Sequence, residues 1–131
     1  MKYLCLVYLE QRTMDALSPS EHAELDRKNI AYDAELRGSG HCIVSNALKP
    51  PHTAMTVRIR NRRVAVTDGP FAETKEHLGG FILIDARDLN EAVQIATNSP
   101  LAELGSIEVR PILELGERPL ARMKAHESGA S

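Results

Sequence analysis

Residues 3–9 read YLCLVYL. A strand with one face in water alternates apolar and polar residues, and this one does not. Tyr3, Cys5, Val7 and Leu9 fall on one alternation, Leu4, Leu6 and Tyr8 on the other. The pattern predicts a central strand covered on both sides. Phe81-Ile82-Leu83-Ile84, after Gly79-Gly80, has the same character. The fold therefore turns on what covers each face of a sheet holding these two strands.

Helices are marked by their entry signals. In Ser18-Pro19-Ser20-Glu21, Ser18 can cap a helix, Pro19 suits its first position and Glu21 completes a capping box. The helix is expected from Pro19 to Arg37, stopping at Gly38. Its inward stripe is Leu25, Asn29, Tyr32 and Leu36, with His22 at the edge and Asn29 as the one amide. Asp88-Leu89-Asn90-Glu91 reads as a second capping box. It opens a helix with apolar face Leu89, Ala92, Val93 and Ala96 that ends before Pro100.

The remaining elements are strands. His41 to Asn46 is short, and Ala47 to Thr53, with Pro50-Pro51, is irregular. Met55, Val57 and Ile59 alternate with Thr56, Arg58 and Arg60; after Asn61-Arg62, Val64 and Val66 alternate with Arg63, Ala65 and Thr67. That is a hairpin with one apolar face. Ile107 to Leu115 is the last strand, with Ile107, Val109 and Leu113 on one side and Glu108 and Arg110 on the other.

Strand, helix, strand, hairpin, strand, helix, strand is a ferredoxin-like split βαβ pattern with an inserted hairpin, an α+β fold. Two helices cover one face of its antiparallel sheet. The other face, with its large apolar residues, is covered by a second protomer packed sheet to sheet or by the long connections, and the size of the patch favours the homodimer.

Bulk composition sets limits. The chain has 131 residues, 43% of them hydrophobic and 26% charged, with net charge −2. One domain over residues 1–115 and a loose polar tail over 116–131 are expected. The charge exerts no pull toward nucleic acid or membrane. Arg58, Arg60, Arg62 and Arg63 lack interleaved aromatics, which favours a solvated face over a nucleic-acid footprint. No transmembrane length occurs, and the first residues lack a secretory cleavage site, so a cytoplasmic protein is expected. Cys5 and Cys42 lie in apolar runs and read as free thiols in a reducing compartment. No metal spacing, phosphate loop or nucleophile elbow occurs, so neither metal nor cofactor is expected; His52, His77 and His126 are scattered.

One further stretch, TDGPFAETKE at 67–76, joins a tight turn to an aromatic, acids and a lysine. Together with MKYLCLVY, SPSEH, GGFILI and IEVRPI it resembles the DGPF branch of the YCII-related proteins over residues 1–115. The resemblance implies a ferredoxin-like subunit in a dimeric α+β barrel. It also implies relatives that act on small molecules, one a dehydrochlorinase, through a His–Asp pair near the dimer cleft. The helix position of that His falls near Asn29 here, and an amide cannot act as a base. Family context further suggests a link to extracytoplasmic-function sigma factors.

Two roles are open for Asp68: bonding its own turn ahead of Gly69-Pro70, or presenting an acid to a ligand. Phe71 is either an anchor under the loop or part of a pocket mouth with Lys75. Tyr8, His22, Asn29 and Arg110 are further candidate ligand contacts, with packing and a surface ion pair as their plain alternatives. The reading favoured is a small-molecule binder with a non-catalytic or regulatory role in a dimer cleft. The alternative is an enzyme of elimination or isomerisation type with Asp68 as acid or base.

Overall fold

The computed structural model describes residues 1–114 and 116. Its strands are β1 (Lys2–Leu9), β2 (Cys42–Ala47), β3 (Met55–Arg60), β4 (Arg63–Asp68), β5 (His77–Asp85) and β6 (Gly105–Pro111). Its helices are α1 (Gln11–Asp15), α2 (Pro19–Gly38) and α3 (Leu89–Thr97), with 3₁₀ turns at Pro51–Thr53 and Pro100–Glu103. The main sheet has the order β2-β5-β1-β6, antiparallel throughout. This is the ferredoxin-like order, and the strand rich in apolar residues on both alternations is indeed central. α1 was not anticipated.

Alternation and register sort the residues between the two faces of the sheet. Tyr3, Cys5 and Val7 of β1 are buried, as is Ile84 of β5. Leu25 and Leu36 of α2 and Ala92, Ile95 and Ala96 of α3 are buried as well. The Tyr32 hydroxyl donates to the Ile95 carbonyl oxygen at 2.5 Å and ties the two helices together. The capping box of α2 is complete: Ser18 Oγ accepts from the Glu21 N–H at 3.1 Å, and the Glu21 carboxylate accepts from the Ser18 N–H at 2.9 Å. Those bonds hold the Glu21 carboxyl below its ordinary range.

Three local expectations need correction. At α3, Asp88 accepts from the Glu91 N–H at 2.9 Å, but Glu91 bonds the Arg87 N–H at 3.0 Å rather than that of Asp88. Its carboxylate sits between Arg87 and His41, which offer more donors than the cap. The inward face of α3 is Ala92, Ile95 and Ala96, while Leu89 and Val93 stay exposed; the alanines let the helix settle closest on that side. Finally, β6 starts at Gly105 and stops at Pro111, where its partner β1 also runs out. Leu113 is therefore outside the strand and exposed, though Ile107 and Val109 do pack against the core. Leu115 and the expected tail lie outside the described residues, Gly116 excepted.

The opposite face of the sheet carries Leu4, Leu6 and Tyr8 beside Phe81 and Leu83, all half-buried. β3 and β4 form a separate two-stranded sheet. Asn61 (φ 52°) and Arg62 (φ 64°) close it in the paired left-handed conformation of a type I′ turn. Its apolar side, Met55, Val57, Ile59, Val64 and Val66, is between 54% and 65% exposed.

Candidate functional site

The turn after β4 is built from the strand beside it. Gly69 takes φ 92°, where a side chain would be strained. Its N–H donates to the Ala54 carbonyl at 2.7 Å, and its own carbonyl accepts from Thr56 Oγ at 2.8 Å. One residue pair up the hairpin, Arg58 donates to the Phe71 carbonyl at 3.3 Å. The polar side of β3 thus holds the loop. The Asp68 carboxylate takes no part: among the described residues it has no hydrogen-bond or ion-pair partner.

Asp68 lines a hollow of about 830 Å³ at the base of the hairpin. Lys75, His52, His77 and Gln11 line it too, with prolines 50, 51 and 70 supplying apolar wall. The histidines, scattered in sequence, meet here for a topological reason. Pairing of Met55 with Asp68 brings the segment before β3 to the end of β4, and pairing of Leu9 with His77 brings the start of β5 to the end of β1. The hairpin register alone could have found His52. Among the described residues, no three His, Cys, Asp or Glu side chains converge as metal ligands.

Asn29 lies elsewhere. It lines a second cleft, of about 480 Å³, between α2 and strands β2 and β5. Within the single chain Asp68 and Asn29 therefore line separate hollows. Asp68 ends a hairpin that is not hydrogen-bonded to the main sheet, whereas Asn29 is mid-helix on its covered side. Near Asn29 the Asp33 carboxylate accepts from Ser45 Oγ at 2.6 Å and from Arg37 Nε at 2.7 Å. The Ser45 bond and then the Arg37 bond hold the Asp33 carboxyl below its ordinary range. This cleft thus offers a neutral amide and a compensated ion pair, with no group poised to exchange a proton near neutrality. A larger groove, about 1120 Å³, runs between α2 and the Pro100 turn and holds none of the anticipated residues.

The other candidates spread over the molecule. Phe71 is 77% exposed, so it does not anchor the loop from beneath; the backbone bonds described above do that work. Tyr8 and Arg110 share the open face of the main sheet and do not line the hollow. There Arg110 pairs with Glu108 at 3.0 Å, and Ser106 donates to Glu76 at 3.0 Å. His22 is half-buried in the first turn of α2 and lies outside both hollows. No helix among the described residues is long and apolar enough to cross a membrane.

Comparison with known proteins adds three findings. The family profile of the YCII-related domain matches residues 1–116. An uncharacterized protein of Rhizobium meliloti (strain 1021) is 37% identical over 114 residues, covering 86% of this chain and 92% of the relative. Among solved structures, the 5-chloro-2-hydroxyhydroquinone dehydrochlorinase of Burkholderia phenoliruptrix AC1100, in complex with 2,5-dihydroxybenzoquinone, superposes with a TM-score of 0.51. It shares 15% identity, over 86% of this chain and 93% of that one, a likeness of fold.

Proposed function

The chain belongs to the YCII-related family, and from that premise we propose that it binds a small hydroxylated or anionic molecule at the base of its hairpin, in a non-catalytic or regulatory role. The observation that carries this reading is the uncommitted Asp68 carboxylate on the wall of a hollow that also holds Lys75. A turn aspartate is ordinarily used by its own backbone. Here Thr56 and Ala54 hold the turn, so the carboxylate remains available to accept from a ligand hydroxyl, and Lys75 to meet an anionic group. The half-exposed apolar face of the main sheet supports a homodimer. Two free cysteines suit the cytoplasm. A regulatory role would fit the sigma-factor context that the family resemblance suggests.

A second reading has its own support. His52 and His77 line the same hollow as Asp68, so two imidazoles and a carboxylate, groups able to accept or donate a proton, stand around one space. An enzyme of elimination or isomerisation type with Asp68 as general acid or base is consistent with that, and the fold neighbour is a dehydrochlorinase.

The test is a thermal-shift screen of wild type, Asp68→Asn and Lys75→Met against hydroxylated benzoic acids and 2,5-dihydroxybenzoquinone. A ligand at about a hundred times its Kd stabilises the fold by about 2.7 kcal/mol. A shift in wild type lost in both variants supports binding. Turnover lost in Asp68→Asn while the shift persists supports the enzyme. An Asp68→Asn protein equal to wild type toward every compound removes Asp68 from the site.

A further inference from the structure

We infer that the outer edge of β4, in the β3–β4 hairpin, takes an added strand from an extended protein segment in which acidic and apolar residues alternate. This docking is independent of the hollow at Asp68 and of whatever ligand that hollow holds.

Arg60 and Arg63 flank the two-residue turn as a register pair. In such a turn the flanking pair exchanges both of its backbone hydrogen bonds, and bonded and non-bonded pairs alternate from there. Arg58 with Ala65 and Thr56 with Thr67 are then bonded pairs, while the N–H and carbonyl groups of Val57, Ile59, Val64 and Val66 point out of the ribbon. On β3 the Ile59 carbonyl accepts from the Arg60 guanidinium at 3.0 Å. On β4, Val64 and Val66 have no backbone partner on the outer side among the described residues. Every residue from Val57 to Asp68 is exposed, so no described residue covers that edge. A bare edge of this kind is a template for another strand.

The occupant follows from what stands on the two sides of the ribbon. Side chains alternate along a strand, so Val57, Ile59, Val64 and Val66 share one side and Arg58, Arg60 and Arg63 the other, with Arg62 at the tip. Ala65, opposite Arg58, is too short to screen it from the β4 edge. Residues 55–67 hold four arginines and no carboxylate, in a chain of net charge −2. None of the four has an ion-pair partner among the described residues, although Arg58 gives one donor to the Phe71 carbonyl. An added strand has the same two-residue period as the edge it joins. Its side chains meet valines on one side and arginines on the other, which calls for apolar and acidic residues in turn. A bilayer is one surface and takes only one side of the ribbon. A nucleic acid uses the arginines and leaves the valines bare. A second copy adding its own β4 in antiparallel fashion gathers both sets of arginines on one side, which repulsion opposes.

Fluorescence anisotropy with a labelled peptide of alternating glutamate and valine tests this. The double variant Arg60→Glu with Arg63→Glu reverses charge at two exposed positions and leaves the Arg58 bond to the loop in place. Wild type is expected to bind the peptide at micromolar concentration. It is expected to bind neither a lysine–valine peptide nor the glutamate–valine peptide N-methylated at alternate residues, which cannot donate to the β4 edge. The double variant is expected to lose affinity about ten-fold or more, as two exposed attractions become repulsions. It is also expected to gain the lysine–valine peptide, a gain that misfolding does not produce. No binding by wild type overturns the proposal. Equal binding of the N-methylated peptide, or of one with the same residues in two blocks, overturns the added strand. A single-stranded oligonucleotide or a phosphatidylglycerol vesicle that wild type binds in place of the peptide, and the double variant does not, assigns the arginines to that polyanion and overturns the proposal. Peptide affinity that falls as the protein self-associates shows that a second copy holds the edge, which overturns it too.

Discussion

Thr56 Oγ donates to the carbonyl oxygen of Gly69 at 2.8 Å, and the turn that begins at Asp68 is held from the neighbouring strand. The consequence is a division of labour between the two positions. Thr56→Val removes one hydrogen bond and is expected to lower stability by about 1 kcal/mol. Asp68→Asn and Asp68→Ala, at an exposed side chain with no bond to lose, are expected to stay within about 0.5 kcal/mol of wild type. Chemical denaturation of the three variants checks this. A loss at Asp68→Ala as large as at Thr56→Val would return Asp68 to a structural role.

Tyr32 joins α2 to α3 through its bond to the Ile95 carbonyl at 2.5 Å, in a partly buried setting. Burial pushes its hydroxyl well above the ordinary tyrosine range, so it donates throughout the working pH. Tyr32→Phe leaves a carbonyl unpartnered and is expected to cost about 1–3 kcal/mol, read from the unfolding midpoint.

Asp33 sets an acid limit. Its folded carboxyl lies below the ordinary value of 3.8, first through Ser45 and then through Arg37. A carboxyl depressed on folding adds stability that is present above the unfolded value and is lost as pH falls through 3.8 toward the folded one. Melts of wild type and Asp33→Asn from pH 6 to about 2.5 test it. The gap between the two is expected to shrink below about pH 4; a gap that stays constant would show that the ion pair does not contribute.

Cys5 and Cys42 stand on β1 and β2 with β5 between them. Two strand spacings put their Cα atoms roughly 10 Å apart, beyond the reach of about 7 Å for a disulfide. The unreduced protein is expected to have the mass of two free thiols. Burial pushes the Cys5 thiol up to about 11, so iodoacetamide at neutral pH is expected to label half-buried Cys42 first and Cys5 only on unfolding.

Gly105 pairs with Leu9 so closely that a Cβ there would lie 2.0 Å from the Tyr8 carbonyl oxygen, whereas one at Gly38 meets nothing within 4 Å. Gly105→Ala is expected to cost about 3 kcal/mol through overpacking against backbone. Gly38→Ala, at the end of α2, is expected to gain up to about 1 kcal/mol. Thermal melts rank the two, and equal effects would disprove the close approach of β1 and β6.

The sequence by itself determined the order of the six strands and of α2 and α3, though not the short α1. Local signals are strong where one residue's chemistry decides: the Ser18–Glu21 box starts α2, Asn61-Arg62 turns the hairpin, and the unbroken apolar run from Tyr3 puts β1 at the centre. The α3 face was misjudged, since several faces of a short apolar helix look alike until the sheet chooses one. The end of β6 was misjudged because a strand stops where its partner does. For the candidate site the sequence marked Asp68 and Lys75, which belong to one local loop. Only the tertiary structure decided their company. Strand pairing brought His52 and His77 to that loop, and the detached hairpin kept it away from Asn29. Whether Asp68 serves its own turn was likewise a tertiary matter. Any Asp before Gly can bond its own backbone, and here the turn was held instead by bonds that Gly69 makes to the Ala54 carbonyl and accepts from Thr56, placed by a hairpin register that no single stretch of residues contains.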